Sequence, residues 1–220
     1  MTILKGLAGI LLLAISTCGV ANADDSQWGV GIKAGTLGLG LEARWSGLPY
    51  MDVRLGANQY TLDASGRQAN VLYESELNLE TYYLTANFHF PLSPFRVTAG
   101  VFSNANEFNM ASAEPGDFNV GGDFYTANEV GSMVATTSFA SSAPYFGLGF
   151  DFELFGKAGL NFDFGVLWQG EPEVALTADG SLFDDSTFLA SLEAERLDLE
   201  DDMSAFKAYP VVSISFVYNF

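Results

Sequence analysis

Eight segments of this chain place apolar side chains on every second residue, and that period of two belongs to strands rather than helices. The last segment, "YPVVSISFVYNF" from Tyr209 to Phe220, puts Val212, Ile214, Phe216, Tyr218 and Phe220 on one face up to the final residue. Gln27 to Gly35 aligns Trp28, Val30, Ile32 and Ala34, and Leu37 to Trp45 aligns Leu39, Leu41, Ala43 and Trp45. The same pattern recurs in Tyr50 to Tyr60, Thr81 to Phe90, Phe95 to Asn104, Pro144 to Phe152 and Ala158 to Gln169. The alternate positions are small or charged: Gly29, Gly31 and Lys33 in the first segment, Gly40, Glu42 and Arg44 in the second.

An apolar stripe backed by glycine and charge describes strands with lipid on one side and a polar lumen on the other. A soluble antiparallel barrel or sandwich would bury the same stripe in a core. Seven aromatics, Trp28, Trp45, Phe90, Phe95, Phe152, Tyr218 and Phe220, gather at one rim, with Trp168 near the other. That distribution suits a bilayer interface better than a core. The spacers agree with it. "SGLP", "PLSP" and "ELFGK" alternate with connections of roughly twenty, forty and forty residues after Tyr60, Asn104 and Gln169, the short-turn and long-loop asymmetry of membrane barrels. The fold class expected is all-β, an eight-stranded antiparallel transmembrane β-barrel with both ends on the periplasmic side.

Residues 1–23 read as a cleaved signal peptide. Lys5 supplies the charge, Gly6 to Ser16 an apolar run too short to span a bilayer, and Ala21 to Ala23 the small cleavage site. Cys18 raises a lipoprotein signal as the rival, but "IST" before it lacks a small residue beside the cysteine. The barrel domain is then 24–220, without cysteine, disulfide or thiolate chemistry. Across the chain 27 acidic residues face nine Lys and Arg, a net charge of −18, which becomes −19 once Lys5 is removed. Nucleic acid is excluded as a partner, because binding it requires a cationic surface.

Two of the long connections differ in character. Glu107 to Ser142 is rich in glycine, serine, asparagine and acid, and reads as a mobile or hairpin-forming loop. The last begins "QGEPEVALTADG", which can continue the seventh strand above the membrane, and then changes to a helical period from Ser186 to Phe206. There Phe188, Leu189, Leu192, Leu199, Met203 and Phe206 share a face, with Asp185 or Ser186 as N-cap. The opposite face is acidic, so packing over the barrel mouth suits this helix better than an anionic membrane surface.

The chain carries one histidine, His89, inward by parity at the turn end of its strand, where no serine stands obviously beside it. Catalysis by a hydrolytic constellation is therefore not expected. One histidine and no cysteine leave soft metals without ligands. The acidic loops offer oxygen atoms to divalent cations, yet no run such as Glu200, Asp201 and Asp202 has the spacing of a calcium loop. No metal site and no cofactor are assigned.

The lumen is more informative. Lys33, Arg44, Arg54 and Arg96 point inward by parity, with Glu42, Asp52, Asp151 and Asp163. Charges inside a narrow barrel persist when paired, and eight strands enclose just enough space for side chains. The expectation is a salt-bridge network that includes His89, lies mostly in the periplasmic half and fills the barrel with Tyr83, Asn87 and Asn161. A gated ion path is the alternative, for which Gly29, Gly31, Gly40, Gly147, Gly149 and Gly159 would leave room.

The layout and the terminal phenylalanine resemble small Gram-negative outer-membrane barrels of the OmpA/OmpX type. The stretch from "QGEPEVALTADG" through the acidic helix to "YPVVSISFVYNF" is similar to the C-terminal part of a proteobacterial outer-membrane barrel family with no assigned activity. The resemblance implies that Phe216, Tyr218 and Phe220 form the signal read by the barrel-assembly machinery. It implies an outer-membrane location and transfers no catalytic residue; the barrel is expected to be a monomer, with outer-membrane lipid around it and lipopolysaccharide met by the acidic loops through divalent cations. The function expected is structural or surface-interacting and non-enzymatic. A narrow, porin-like channel or transporter for ions or small apolar solutes is the alternative, and a lipid-modifying enzyme the third.

Overall fold

The computed structural model describes residues 27–68, 71–112 and 117–220. The expected signal peptide lies outside the described residues. Eight strands make the barrel: β1 (Trp28–Gly35), β2 (Gly38–Leu48), β3 (Met51–Gln68), β4 (Val71–His89), β5 (Phe95–Asn104), β10 (Ser142–Leu154), β11 (Ala158–Trp168) and β13 (Ala208–Asn219). Each pairs antiparallel with the next in this order, and β1 closes on β13, from Gly29 opposite Asn219 to Gly35 opposite Ser213. The barrel is closed and eight-stranded, as the parity pattern predicts.

Burial follows that parity. In β4, Tyr82, Leu84, Ala86 and Phe88 are exposed while Thr81, Tyr83, Thr85 and Asn87 are buried. The exposed face is the apolar one, the inverse of a soluble core. One rim carries an aromatic chain, with Phe88 against Phe90 at 5.4 Å, Phe90 against Phe95 at 5.2 Å and Phe95 against Phe150 at 5.6 Å between ring centroids.

Beyond the opposite rim five strands of the wall continue upward. The connection after Tyr60 is not a loop of about twenty residues. β3 and β4 stay paired to Gln68 and Val71, because only their outward residues change, from apolar to Asp63, Glu74 and Glu76. After two residues β5 resumes as β6 (Glu107–Ser112), which pairs with upper β4. β9 (Met133–Ser138) precedes β10 and pairs with β6, and β12 (Glu173–Ala178) follows β11 and pairs with β9. The segment "QGEPEVALTADG" thus does extend the wall above β11, after a break at 169–172. Between β6 and β9 stand the hairpin β7 (Phe118–Val120) and β8 (Asp123–Tyr125), then the single-turn helix α1 (Ala127–Val130). Of the two readings of this segment the hairpin-forming one holds, with the strands β6 and β9 flanking the hairpin and α1.

The long helix α2 runs over Ser186–Met203, and a 3-10 turn, Ser204–Lys207, links it to β13. Asp185 is its N-cap, accepting from the backbone N–H of Thr187 at 2.9 Å and of Phe188 at 3.0 Å. Phe188 joins Phe118, Val120 and Val130 in a small core, against which Tyr73, Met133, Ala178 and Leu192 pack. Tyr73, Met133 and Ala178 share the inward parity of the raised wall, so the helix covers the inner side of that wall above the lumen. The sequence-based face needs correction at two residues. Leu189 and Phe206 are exposed, and Ser191 takes the buried place one turn from Phe188, bonded to Asp123 and Tyr125.

Candidate functional site: the barrel lumen

The inward faces build three layers, beginning at the turn end with the charged one. Asp52 on β3 receives more donors than any other carboxylate of the layer. It accepts from Arg54 Nε at 2.9 Å and Asn87 Nδ2 at 2.6 Å, lies 2.5 Å from His89 Nε2 and pairs with Arg44 at 3.3 Å. Asp151 on β10 accepts from Arg54 Nη2 and Arg96 Nε, both at 2.9 Å. Asp163 on β11 pairs with Arg96 and, at 3.2 Å, with Lys33. Glu42 on β2 lies 3.7 Å from Lys33 and 3.5 Å from Arg54, and accepts the Tyr83 hydroxyl at 2.8 Å.

All nine residues singled out from the sequence, Lys33, Glu42, Arg44, Asp52, Arg54, His89, Arg96, Asp151 and Asp163, therefore belong to one connected set. Four cations meet four carboxylates, so these eight groups balance one another in a chain of −18. That balance is what lets the charges persist away from bulk water. Asn87 bridges them, donating to Asp52 and accepting from Arg96 at 2.8 Å and Thr98 at 2.6 Å. Asn161 is buried beside this layer, but its amide nitrogen has no protein partner among the described residues.

Above the charges lies an apolar layer that reading for charge alone misses. Tyr83, Phe102 and Tyr145 stack in series, with centroids 5.0 Å and 5.2 Å apart, enclosed by Leu37, Ala143, Leu167 and Val211. The period of two carries the signal for them, since Phe102 alternates with outward Val101 and Leu167 with outward Trp168. The third layer is made of amides at the breaks where β5 and β11 give way to β6 and β12. Gln169 accepts from Asn104 at 3.4 Å and donates to the Phe206 carbonyl at 3.0 Å, while Asn106 accepts from the Glu80 backbone at 3.1 Å. These side chains supply hydrogen bonds where the ladder is interrupted.

The interior glycines do not open a path. A Cβ on Gly149 would meet Arg96 Cζ at 2.5 Å, and one on Gly165 would meet Tyr145 Cζ at 2.5 Å. Gly56 faces the Tyr83 ring in the same way, and a Cβ on Gly31 would meet Val217 Cγ2 at 2.9 Å. Gly56, Gly149 and Gly165 are thus the space into which a neighbouring strand's large side chain fits, whereas a Cβ on Gly159 would meet nothing closer than 3.6 Å. Between the charged and aromatic layers, beside Glu42, Arg54 and Tyr83, remains a cavity of about 20 Å³, room for about one water.

Asp52, His89 and Asp151 can bring one ligand atom each within 4.8 Å of the others, which raises a metal centre. The donor set does not fit one. The same two carboxylates hold Arg44, Arg54 and Arg96, and a cation would compete with three guanidinium groups at contact distance. Nor does His89 stand in a hydrolytic constellation. An acid is within reach, but it is arginine-bound and inside the lumen, and among the described residues no hydroxyl hydrogen-bonds to the imidazole.

No protein-family model and no curated protein matches the chain. Its fold is similar to two crystal structures from Acinetobacter baumannii. CarO2 is 21% identical with a TM-score of 0.61, over 88% of this chain and 98% of that one. CarO is 21% identical with a TM-score of 0.59, over 87% of this chain and 97% of that one. The likeness extends over nearly the whole of both molecules, and at that identity it speaks for the barrel architecture.

Proposed function

We propose that this chain is an outer-membrane β-barrel of a Gram-negative bacterium, non-enzymatic, closed to solutes and working through the surface its raised wall and loops present. The observation that carries the closed reading is the occupied interior, in which arginines and tyrosines lie against interior glycines and leave about 20 Å³ beside them. The outward apolar band, the aromatic rim and the similarity to barrels from Acinetobacter baumannii support the outer-membrane location. The short turns and both ends of the barrel face the periplasm on this reading. The acidic wall, including Asp63, Glu74 and Glu76, faces outward toward lipopolysaccharide and divalent cations. The test is swelling of liposomes containing the purified barrel. Sugars and amino acids should leave the liposomes unswollen, and rapid swelling would favour a narrow channel instead.

The C-terminal residues support the assembly reading of Phe216, Tyr218 and Phe220. All three are outward and exposed, and the Phe220 backbone N–H reaches the Trp28 carbonyl at 2.9 Å across the closing seam. A chain lacking Phe220 should accumulate outside the membrane. Quantifying folded barrel in the membrane fraction checks this, and wild-type levels there would remove the assembly role.

A further inference from the structure

Three large residues at the turn end adopt a backbone conformation that the sequence gives them no local reason to adopt. Tyr50 has φ 59°, Leu92 φ 62° and Phe155 φ 53°. Two of them follow proline, in "PY" and "PL", and the Ser93 backbone N–H closes the second turn on the Phe90 carbonyl at 3.3 Å. At that place, after the proline, a turn with positive φ ordinarily carries Gly or Asn. A bulky residue there is strained, and an observed outlier of this kind points to a function that the strain supports.

These side chains are not strained in order to pack. Leu92 and Phe155 are fully exposed, at 109% and 100%, and Tyr50 at 58%. The turns are also joined to neighbouring strands. The Tyr50 carbonyl accepts from His89, the Pro94 carbonyl from Asp151 and the Lys157 carbonyl from Asn219. All three apolar tips thus stand on one fixed rim, directly beyond the aromatic belt of Phe90, Phe95 and Phe152. Charge separates this end from the other. Across Ser46 to Tyr50, Phe90 to Pro94 and Glu153 to Lys157 the only charged residues are one Glu and one Lys, in a chain of 27 acids. A nearly neutral apolar rim tolerates lipid phosphates that an acidic one would repel.

We infer that Tyr50, Leu92 and Phe155 form a three-point hydrophobic foot seated in the lipid headgroup layer on the turn side. The occupant is the lipid surface itself, because the tips stand beside the outward aromatic rim of Phe90, Phe95 and Phe152. This rests on the membrane-spanning reading. The strained turns hold the apolar side chains down and outward, where relaxed Gly or Asn turns would present little to lipid.

The test uses single-cysteine spin labels, which the cysteine-free barrel domain permits. Labels at Ser93→Cys, Lys157→Cys, Ile214→Cys and Phe124→Cys are compared in phosphatidylethanolamine and phosphatidylglycerol vesicles, reading collision with oxygen against collision with a water-soluble nickel chelate. Ile214 marks the lipid band and Phe124 the water-exposed hairpin on the loop side. Positions 93 and 157 should be shielded from nickel relative to 124. Adding Leu92→Asn or Phe155→Asn should abolish most of that shielding at the adjacent label. Asn accepts positive φ, so the melting temperature in detergent should be kept or raised, which separates lost contact from lost fold. Nickel exposure at 93 and 157 equal to that at 124, with 214 still protected, would overturn the foot alone. Water-like exposure at 214 would overturn the spanning reading and the foot with it.

Discussion

An Arg96→Met barrel should unfold about 3–5 kcal/mol more easily than wild type, the expected loss when one partner of a buried charge set is removed. Arg96 is completely buried and ties its own strand to three others, pairing with Asp151 on β10 at 2.9 Å and with Asp163 on β11 while donating to Asn87 on β4 and to Thr98 on β5. Methionine fills part of the volume but leaves the lumen one charge negative and takes a partner from two carboxylates. Lys33 still reaches Asp163 and Arg54 still reaches Asp151, so the barrel should form and be weaker rather than fail outright. Adding Asp163→Asn restores the charge balance, and the double variant should lose less than the sum of the two single ones. Urea unfolding from lipid vesicles measures all three. A cost below about 1 kcal/mol, the scale of an exposed pair, would mean that the network is hydrated and contributes little.

Phe188→Ala should act as strongly but elsewhere. Phe188 is completely buried among Phe118, Val120 and Val130, and its ring meets Tyr125 edge-on at 5.0 Å. Truncating a buried phenylalanine costs about 3–5 kcal/mol. That core is small and separate from the lumen, so the loss should fall on α2, the β7–β8 hairpin and their seat on the raised wall. The hairpin is also tied to the helix by hydrogen bonds, from the Gly121 backbone N–H to Glu195 at 2.9 Å and between Ser191 and both Asp123 and Tyr125, each contributing about 1 kcal/mol. Limited proteolysis should cut within 117–125 and within 186–203 far faster in the variant, while the heat-dependent gel shift of the intact barrel persists. Collapse of the barrel together with the helix would show a single cooperative unit.

The barrel strands were legible because the outside and the interior of a barrel make opposite demands on successive residues. Lys33 against Ile32, or Arg54 against Leu55, leaves little choice of face. The same criterion placed the upper ends of β3 and β4 too early. Asp63, Glu74 and Glu76 end the outward apolar band, but the ladder does not depend on that band and continues through them. The strands β6 and β9 were hidden for a related reason. "EFNMAS" and "MVATTS" are short and lie among glycines, and their partners are far away in sequence, so nothing local announces the pairing. In the lumen, charge points to Arg96 and Asp163, while of the aromatic layer only Tyr83 is legible, because Phe102 and Tyr145 look like ordinary strand residues until closure brings them together. The helix was found by period and N-cap. Its buried face was misassigned at Leu189 because burial there depends on where the hairpin lies, with Ser191 rather than a leucine filling the contact.

A closed lumen is the central claim, and single-channel recording in planar bilayers tests it most directly. The interlocked charged and aromatic layers predict a barrel that inserts and gives no sustained open level in neutral salt at moderate voltage. A steady, well-defined conductance from the wild-type barrel would contradict it and make the charged layer the lining of a pore.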